Sequence, residues 1–282
     1  MMSKFVLTMI ICVVFLAFAE VSQARVELRL DQQNKRVDVF TDNIFFTSYR
    51  WDERFMRPVL LPVKTASGAF ITRGFPHETR DGETINHPHQ VGSSFSYGSV
   101  NGVDFWNASR FRSAEEMKHM GRILHRRIIS RKNGKTSAEL VTISDWIGPD
   151  GKLHLTETTK YTFRSANGIR SVDRETTLTS SKEKVVFGDS KEGMFAIHVA
   201  RELQQENQFP VKITSSTGVI SEAADGRGLS GKYFNSLGLN GDKVWGTRAK
   251  WAAVSGTLGN EKVTVAVFDH PSNLNFPSYG MV

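Results

Sequence analysis

Leu153-His154-Leu155-Thr156-Glu157-Thr158-Thr159-Lys160-Tyr161-Thr162-Phe163, followed after Arg164 by Ser165-Ala166-Asn167-Gly168 and the run Arg170 to Thr179, decides the fold class. Successive strand residues point to opposite faces. Leu153, Leu155, Tyr161 and Phe163 therefore share one face with Glu157 and Thr159, while His154, Thr156, Thr158 and Lys160 share the other. Asn167-Gly168 between the two runs predicts a tight hairpin, because both residue types accept the positive φ such a turn needs. Glu157 on the apolar face has two readings. Either it pairs with a buried arginine such as Arg174 or Arg127, or it lines a cavity as a base or ligand.

Outward from this hairpin the pattern repeats. Gly121 to Ser130 and Ala138 to Asp145 form a second predicted hairpin through Lys132-Asn133-Gly134-Lys135. Further strands are expected at Val26 to Leu30, Arg36 to Phe40, Ile44 to Tyr49, Val59 to Val63, Phe195 to Ala200, Val211 to Thr214 and Val263 to Phe268. Helix is scarce. The best candidate is Ser113 to Met120, where Ser113 and Glu116 have the spacing of a capping box. The expectation is an all-β protein, a large antiparallel β-sandwich with little helix.

Residues 1–24 read as a signal peptide: Lys4 precedes an apolar run from Phe5 to Ala19, and Val21-Ser22-Gln23-Ala24 offers small residues for cleavage. Residues 25–282 are then expected to be one β-sandwich domain, exported to the periplasm or beyond, with no stable membrane span. Cys12, the single cysteine, falls in the leader, so the mature chain must be held by its core and not by disulfides. Lysine plus arginine number 36 against 29 acids, an excess of +7. In an exported chain this either points to carbohydrate, an acidic polysaccharide or an anionic envelope surface as partner, and away from nucleic acid, or merely keeps the protein soluble. The densest basic cluster is Arg122, Arg126, Arg127, Arg131 and Lys132, which strict strand alternation would divide between two faces. No glycine-rich phosphate loop and no Gly-x-Ser-x-Gly elbow is present.

The segment from Glu83 to Trp106 concentrates site-forming chemistry. His87 precedes Pro88, which biases it towards extended backbone, and extended residues two apart point the same way, so His87 and His89 are expected side by side. Such a pair could chelate one divalent metal ion with Glu83, Glu157, His125 or His270, cap loop backbone, or act as acid and base. His87 or His89 with Glu157 is the catalytic set expected of an acid–base mechanism on a sugar. Trp51, Trp106, Trp146, Trp245 and Trp251 offer flat faces for sugar rings, with Trp106 the best placed. Arg50, Arg73 and Arg248 offer bidentate contacts, and His270 follows the strand ending at Phe268, where it faces a cleft or caps a turn.

Several blocks together resemble a known family: Ser48-Tyr49-Arg50-Trp51, Arg57-Pro58, His87-Pro88-His89, Gly98 to Trp106, Arg170 to Glu175, Asp189 to Phe195, Val244 to Arg248 and Asp269 to Asn273. The family is an exported bacterial one, a domain of unknown function labelled the methane oxygenase PmoA family. The resemblance implies a role in carbohydrate catabolism, a hydrolase, lyase or isomerase type of reaction, and a sandwich of the mutarotase-like kind. The alternatives are a non-catalytic carbohydrate- or envelope-binding module, in which Trp106 and the basic surface carry affinity, and an inactive truncated copy. The family pattern runs His-Pro-His-His where this chain has Gln90 in the last place, and it continues past the Asp269-His270-Pro271 block, so a chain truncated at its C-terminus is expected.

Overall fold

The two long hairpins form as the sequence predicts. A computed structural model describes residues 25–181, 183–207, 209–223, 226 and 228–280; the expected leader, with Cys12, lies outside the described residues. The strands begin with β1 (Val26–Asp31), β2 (Arg36–Thr41), β3 (Ile44–Arg50), β4 (Val59–Val63), β5 (Glu83–Thr84) and β6 (Ser93–Tyr97). The long strands follow: β7 (Arg122–Lys132), β8 (Ser137–Ile147), β9 (Leu153–Ala166) and β10 (Ile169–Ser180). After them come β11 (Gly193–Ile197), β12 (Val211–Thr214), β13 (Ile220–Ala223) and β14 (Lys232–Asn235). The last four are β15 (Thr247–Arg248), β16 (Trp251–Leu258), β17 (Glu261–Phe268) and β18 (Tyr279–Gly280).

The two largest sheets run β1-β2-β3-β4-β6-β11 and β10-β9-β8-β7, every neighbouring pair antiparallel, and three smaller ones run β13-β12-β5, β14-β16-β17 and β15-β18. The inner faces of the two largest make the sandwich core: Val26, Leu28, Val37, Val39, Phe46, Tyr49 and Leu60 from the first meet Ala138, Leu140, Tyr161 and Phe163 from the second. Alternation explains the choice, since β8 buries every second residue from Ala138 to Trp146. A second cluster, around Leu203, Val254, Leu258 and Val263, lies under β16 and β17. The β9–β10 turn has φ of 53° at Asn167 and 76° at Gly168, the mirror-image geometry that matches strand twist.

Helix is limited to Ala114–Met117 and two short 3-10 turns among the described residues, and the Ser113–Glu116 capping box is present. The expected strand from Phe195 to Ala200 is shifted to β11, because Ala200 starts a 3-10 turn at Arg201. Seven strands escaped the sequence reading, β5, β6, β13, β14, β15, β16 and β18, and two of them show why. β6 is mostly serine, yet Ser93, Ser94 and Ser96 are buried between β4 and β11, so no hydrophobic alternation marks it. β16 pairs with β14 and β17, and its small residues, Ala252, Ala253, Ser255 and Gly256, gave a weak apolar signal. No helix among the described residues is long and apolar enough to cross a membrane.

Candidate functional site

His87 and His89 come together, but not as strand neighbours. The Gln90 amide donates to the His87 carbonyl at 3.0 Å, closing a turn with Pro88 and His89 at its centre, and His87 has a φ of +47° in place of the expected extended backbone. The physical reason is Arg73. Its fully buried guanidinium donates to the carbonyls of Thr84 (2.9 Å), Asn86 (2.9 Å) and His87 (3.0 Å), curling the loop around one cation. Arg73 is therefore a hub of the loop and not a ligand contact. The two imidazoles lie edge to face, 5.8 Å between centroids, with His87 exposed and His89 buried. Burial, reinforced by the Arg57 charge, holds His89 down to about 3, so it is neutral at neutral pH. His198, pushed well below its ordinary value by burial, takes Gln90 Oε1 as hydrogen-bond partner at Nδ1 (3.0 Å). Gln90, where the resembling family has histidine, thus serves the packing of this turn.

The carboxylates proposed to complete this site are engaged elsewhere. Glu83 is buried, accepts from the Gly74 and Phe75 amides, both at 2.7 Å, and from the Arg80 amide at 3.3 Å, and forms an ion pair with the Arg80 side chain at 3.1 Å. Glu157 accepts from Arg174 (2.6 Å), the Trp146 indole (2.9 Å) and the Thr159 hydroxyl (2.8 Å) inside the sandwich. Strand β6 separates it from the histidine turn. Phe95 faces Arg174 and Trp146, whereas Ser96, on the opposite face, accepts from Arg57. The structural pairing with Arg174 is the reading of Glu157 that holds, and no hydrogen bond among the described residues joins it to either histidine. No group of three or more His, Cys, Asp or Glu side chains suited to a metal ion occurs among the described residues, so the expected set of His87, His89 and Glu83 does not assemble.

The remaining expected contacts also resolve into placements. Trp106 is buried and its carbonyl accepts from Arg57, which corrects the expectation of an open platform. Arg50 is buried, paired with Glu78 and lying over the Phe55 ring. Exposed Arg248 donates to the carbonyls of Pro277 (2.8 Å) and Asn275 (2.6 Å). His270 accepts the Ser272 amide at Nδ1 (3.2 Å), a turn cap.

A different place has open space and unspent chemistry. A cleft of about 650 Å³ lies between the ends of β1 and β3, the Trp51 to Pro58 loop and β7. Its floor includes Trp51, whose indole lies 4.4 Å from the His125 ring, and Tyr49 hydrogen-bonds His125 Nδ1 at 3.0 Å from beneath. Burial holds His125 down to about 4 and pushes the Tyr49 phenol far up, so both stay neutral. Six cations line the cleft, Lys35, Arg57, Arg110, Arg122, Arg126 and Arg127, against two carboxylates, Asp52 and Glu53. Both carboxylates are paired, Asp52 with Arg54 at 2.8 Å and Glu53 with Lys35, while Arg122 and Arg127 form no ion pair among the described residues.

Strict alternation predicted that the basic cluster on β7 would divide. Register shifts between His125 and Arg127 and between Ile128 and Ser130 interrupt the alternation, and Arg122, Arg126 and Arg127 all reach the cleft. The composition of the cluster was the available signal; the bulges were not readable. The model of a family described as a family of unknown function (DUF6807) matches residues 36–282. No curated protein and no solved structure matches the chain.

Proposed function

Since the chain belongs to that family of unknown function, we propose its role from its own side chains: it is an exported protein that binds acidic polysaccharide in the Trp51–His125 cleft. The observation that carries this reading is the excess of six cations over two carboxylates around an aromatic floor. Uronate carboxylates would meet Arg122 and Arg127, whose fork of donors suits a planar acid, and a ring could lie on Trp51. The resemblance to the exported group labelled PmoA, with its association with carbohydrate catabolism, supports the compartment and the ligand class.

Binding is favoured over turnover within this reading. Hydrolysis or elimination on a sugar needs an acid and a base free to exchange protons beside the bond. In the cleft His125 is hydrogen-bonded to Tyr49, and Asp52 and Glu53 are held in ion pairs. The test is calorimetric titration of residues 25–282 with polygalacturonate and with dextran, at low and high salt. Polygalacturonate binding that salt weakens, and that Arg122→Ala with Arg127→Ala reduces, supports the proposal; dextran binding that the same two substitutions reduce equally, or no binding of polygalacturonate, overturns it.

A further inference from the structure

A second concavity, of about 500 Å³, lies far along the chain from the cleft and is lined by Gln205, Tyr233, Gly241, Asp242 and Trp245. Its construction begins with a 3-10 turn, Gly241–Val244. Val244 is buried and anchors the turn, the Trp245 amide donates to the Asp242 carbonyl at 3.2 Å, and the chain then turns to extended backbone at Trp245. The consequence is an indole presented outward and 56% exposed, an unusual placement for the largest apolar side chain. Beside it the Gln205 amide donates to Asp242 Oδ1 at 2.6 Å, which fixes both polar groups at the rim. Asp242 Oδ2 and Gln205 Oε1 have no hydrogen-bond partner among the described residues. Gly241 has a φ of +59°, and a methyl group there would meet only Gln205 Oε1, at 3.5 Å, so the turn leaves the concavity open.

We infer that this concavity is a second saccharide site, which takes a neutral hexose chain on the Trp245 face with its hydroxyls held by Asp242, Gln205 and Tyr233. A pyranose ring offers one face of C–H groups and a rim of hydroxyls. An exposed indole flanked by a carboxylate and an amide matches both. Charge decides the class of sugar. Among the described residues no cation lines the concavity and one carboxylate does, so an acidic saccharide would meet repulsion where a neutral one would donate hydroxyl hydrogens. Burial pushes the Tyr233 phenol up, which keeps it a hydroxyl able to donate and accept. The inference does not rest on the acidic-polysaccharide cleft, since the two linings share no residue.

The experiment uses residues 25–282 with cellohexaose, maltohexaose, mannohexaose and polygalacturonate, followed by calorimetry and by tryptophan emission. One neutral series is expected to bind with a blue shift, as the exposed indole leaves water. Trp245→Ala should weaken that binding by about tenfold or more, as loss of a tryptophan anchor does. Asp242→Asn, which keeps the shape, should weaken it less, and the Arg122→Ala, Arg127→Ala double variant should leave it unchanged. The inference is overturned if no neutral series binds, if binding survives Trp245→Ala, or if the ligand that Trp245→Ala removes is polygalacturonate. Failure of the cleft reading would appear separately, as polygalacturonate binding indifferent to the two arginines.

Discussion

The sandwich interior at Glu157 and the cleft beside β7 contain the same kinds of residue, carboxylates, arginines and aromatic rings, with opposite fates. Around Glu157 every polar group is spent on its neighbours: Arg174, Trp146 and Thr159 surround one carboxylate, and Arg174 also donates to Tyr161 at 2.6 Å. In the cleft the carboxylates are spent but two arginines are not, and they face water. The lesson is that a charge out of place on an apolar strand face marks a structural network when its partners are buried with it. Binding potential lies where charge is left over on an open concavity.

The comparison can be broken most severely at Glu157. Glu157→Ala leaves the largely buried Arg174 without its partner and is expected to destabilise the protein by about 3 kcal/mol in urea unfolding. Replacing both partners, Glu157→Leu with Arg174→Met, should recover part of that loss, because no charge is then stranded. If Glu157→Ala leaves stability unchanged but abolishes a sugar reaction, the structural reading of Glu157 is wrong.

The next test acts on the cleft alone. Arg122→Ala with Arg127→Ala should weaken polygalacturonate binding about tenfold, about 1.4 kcal/mol, while unfolding changes by no more than about 0.5 kcal/mol. A large loss of stability would mean these arginines belong with the Glu157 type of network.

Acidification probes the cleft together with the histidine turn. His125 and His89 titrate in the folded protein at about 4 and about 3, below the ordinary imidazole value of about 6.5. The unfolded chain therefore binds more protons below about 6.5, and stability should fall as pH drops from there towards about 4. A plot of Tm against pH should be shallower for His125→Phe than for the parent chain. Parallel slopes would show that His125 is not held neutral. The smallest expected effect belongs to Trp106→Phe, which should cost modest stability through lost packing and leave saccharide binding unaltered, since Trp106 is buried.

Much of the fold was legible because strand periodicity and turn chemistry are local properties. The alternation from Leu153 to Phe163 and the Asn167-Gly168 turn specify one hairpin, whichever sheet it joins. β6 was not legible, because Ser93, Ser94 and Ser96 gain their burial from strands distant in sequence. The nearness of His87 and His89 was anticipated, but through the wrong backbone. Proline's preference for an extended predecessor is weak beside the buried hydrogen bonds that Arg73 gathers from three carbonyls.

By itself the sequence determined an antiparallel all-β chain, the capping box at Ser113 and the choice between ion pair and cavity for Glu157. Only the tertiary structure chose between those two, by setting Arg174 opposite Tyr161, two residues before the cross-strand partner of Thr159, and within reach of Glu157. It also sank Glu83 into backbone amides, buried Trp106, and brought Arg122, Arg126 and Arg127 of the basic cluster to one cleft beside Trp51, on a strand interrupted by bulges. The reason is general to both regions: a side chain's chemistry is written in its type, but whether that chemistry is spent or free depends on which distant groups share its burial.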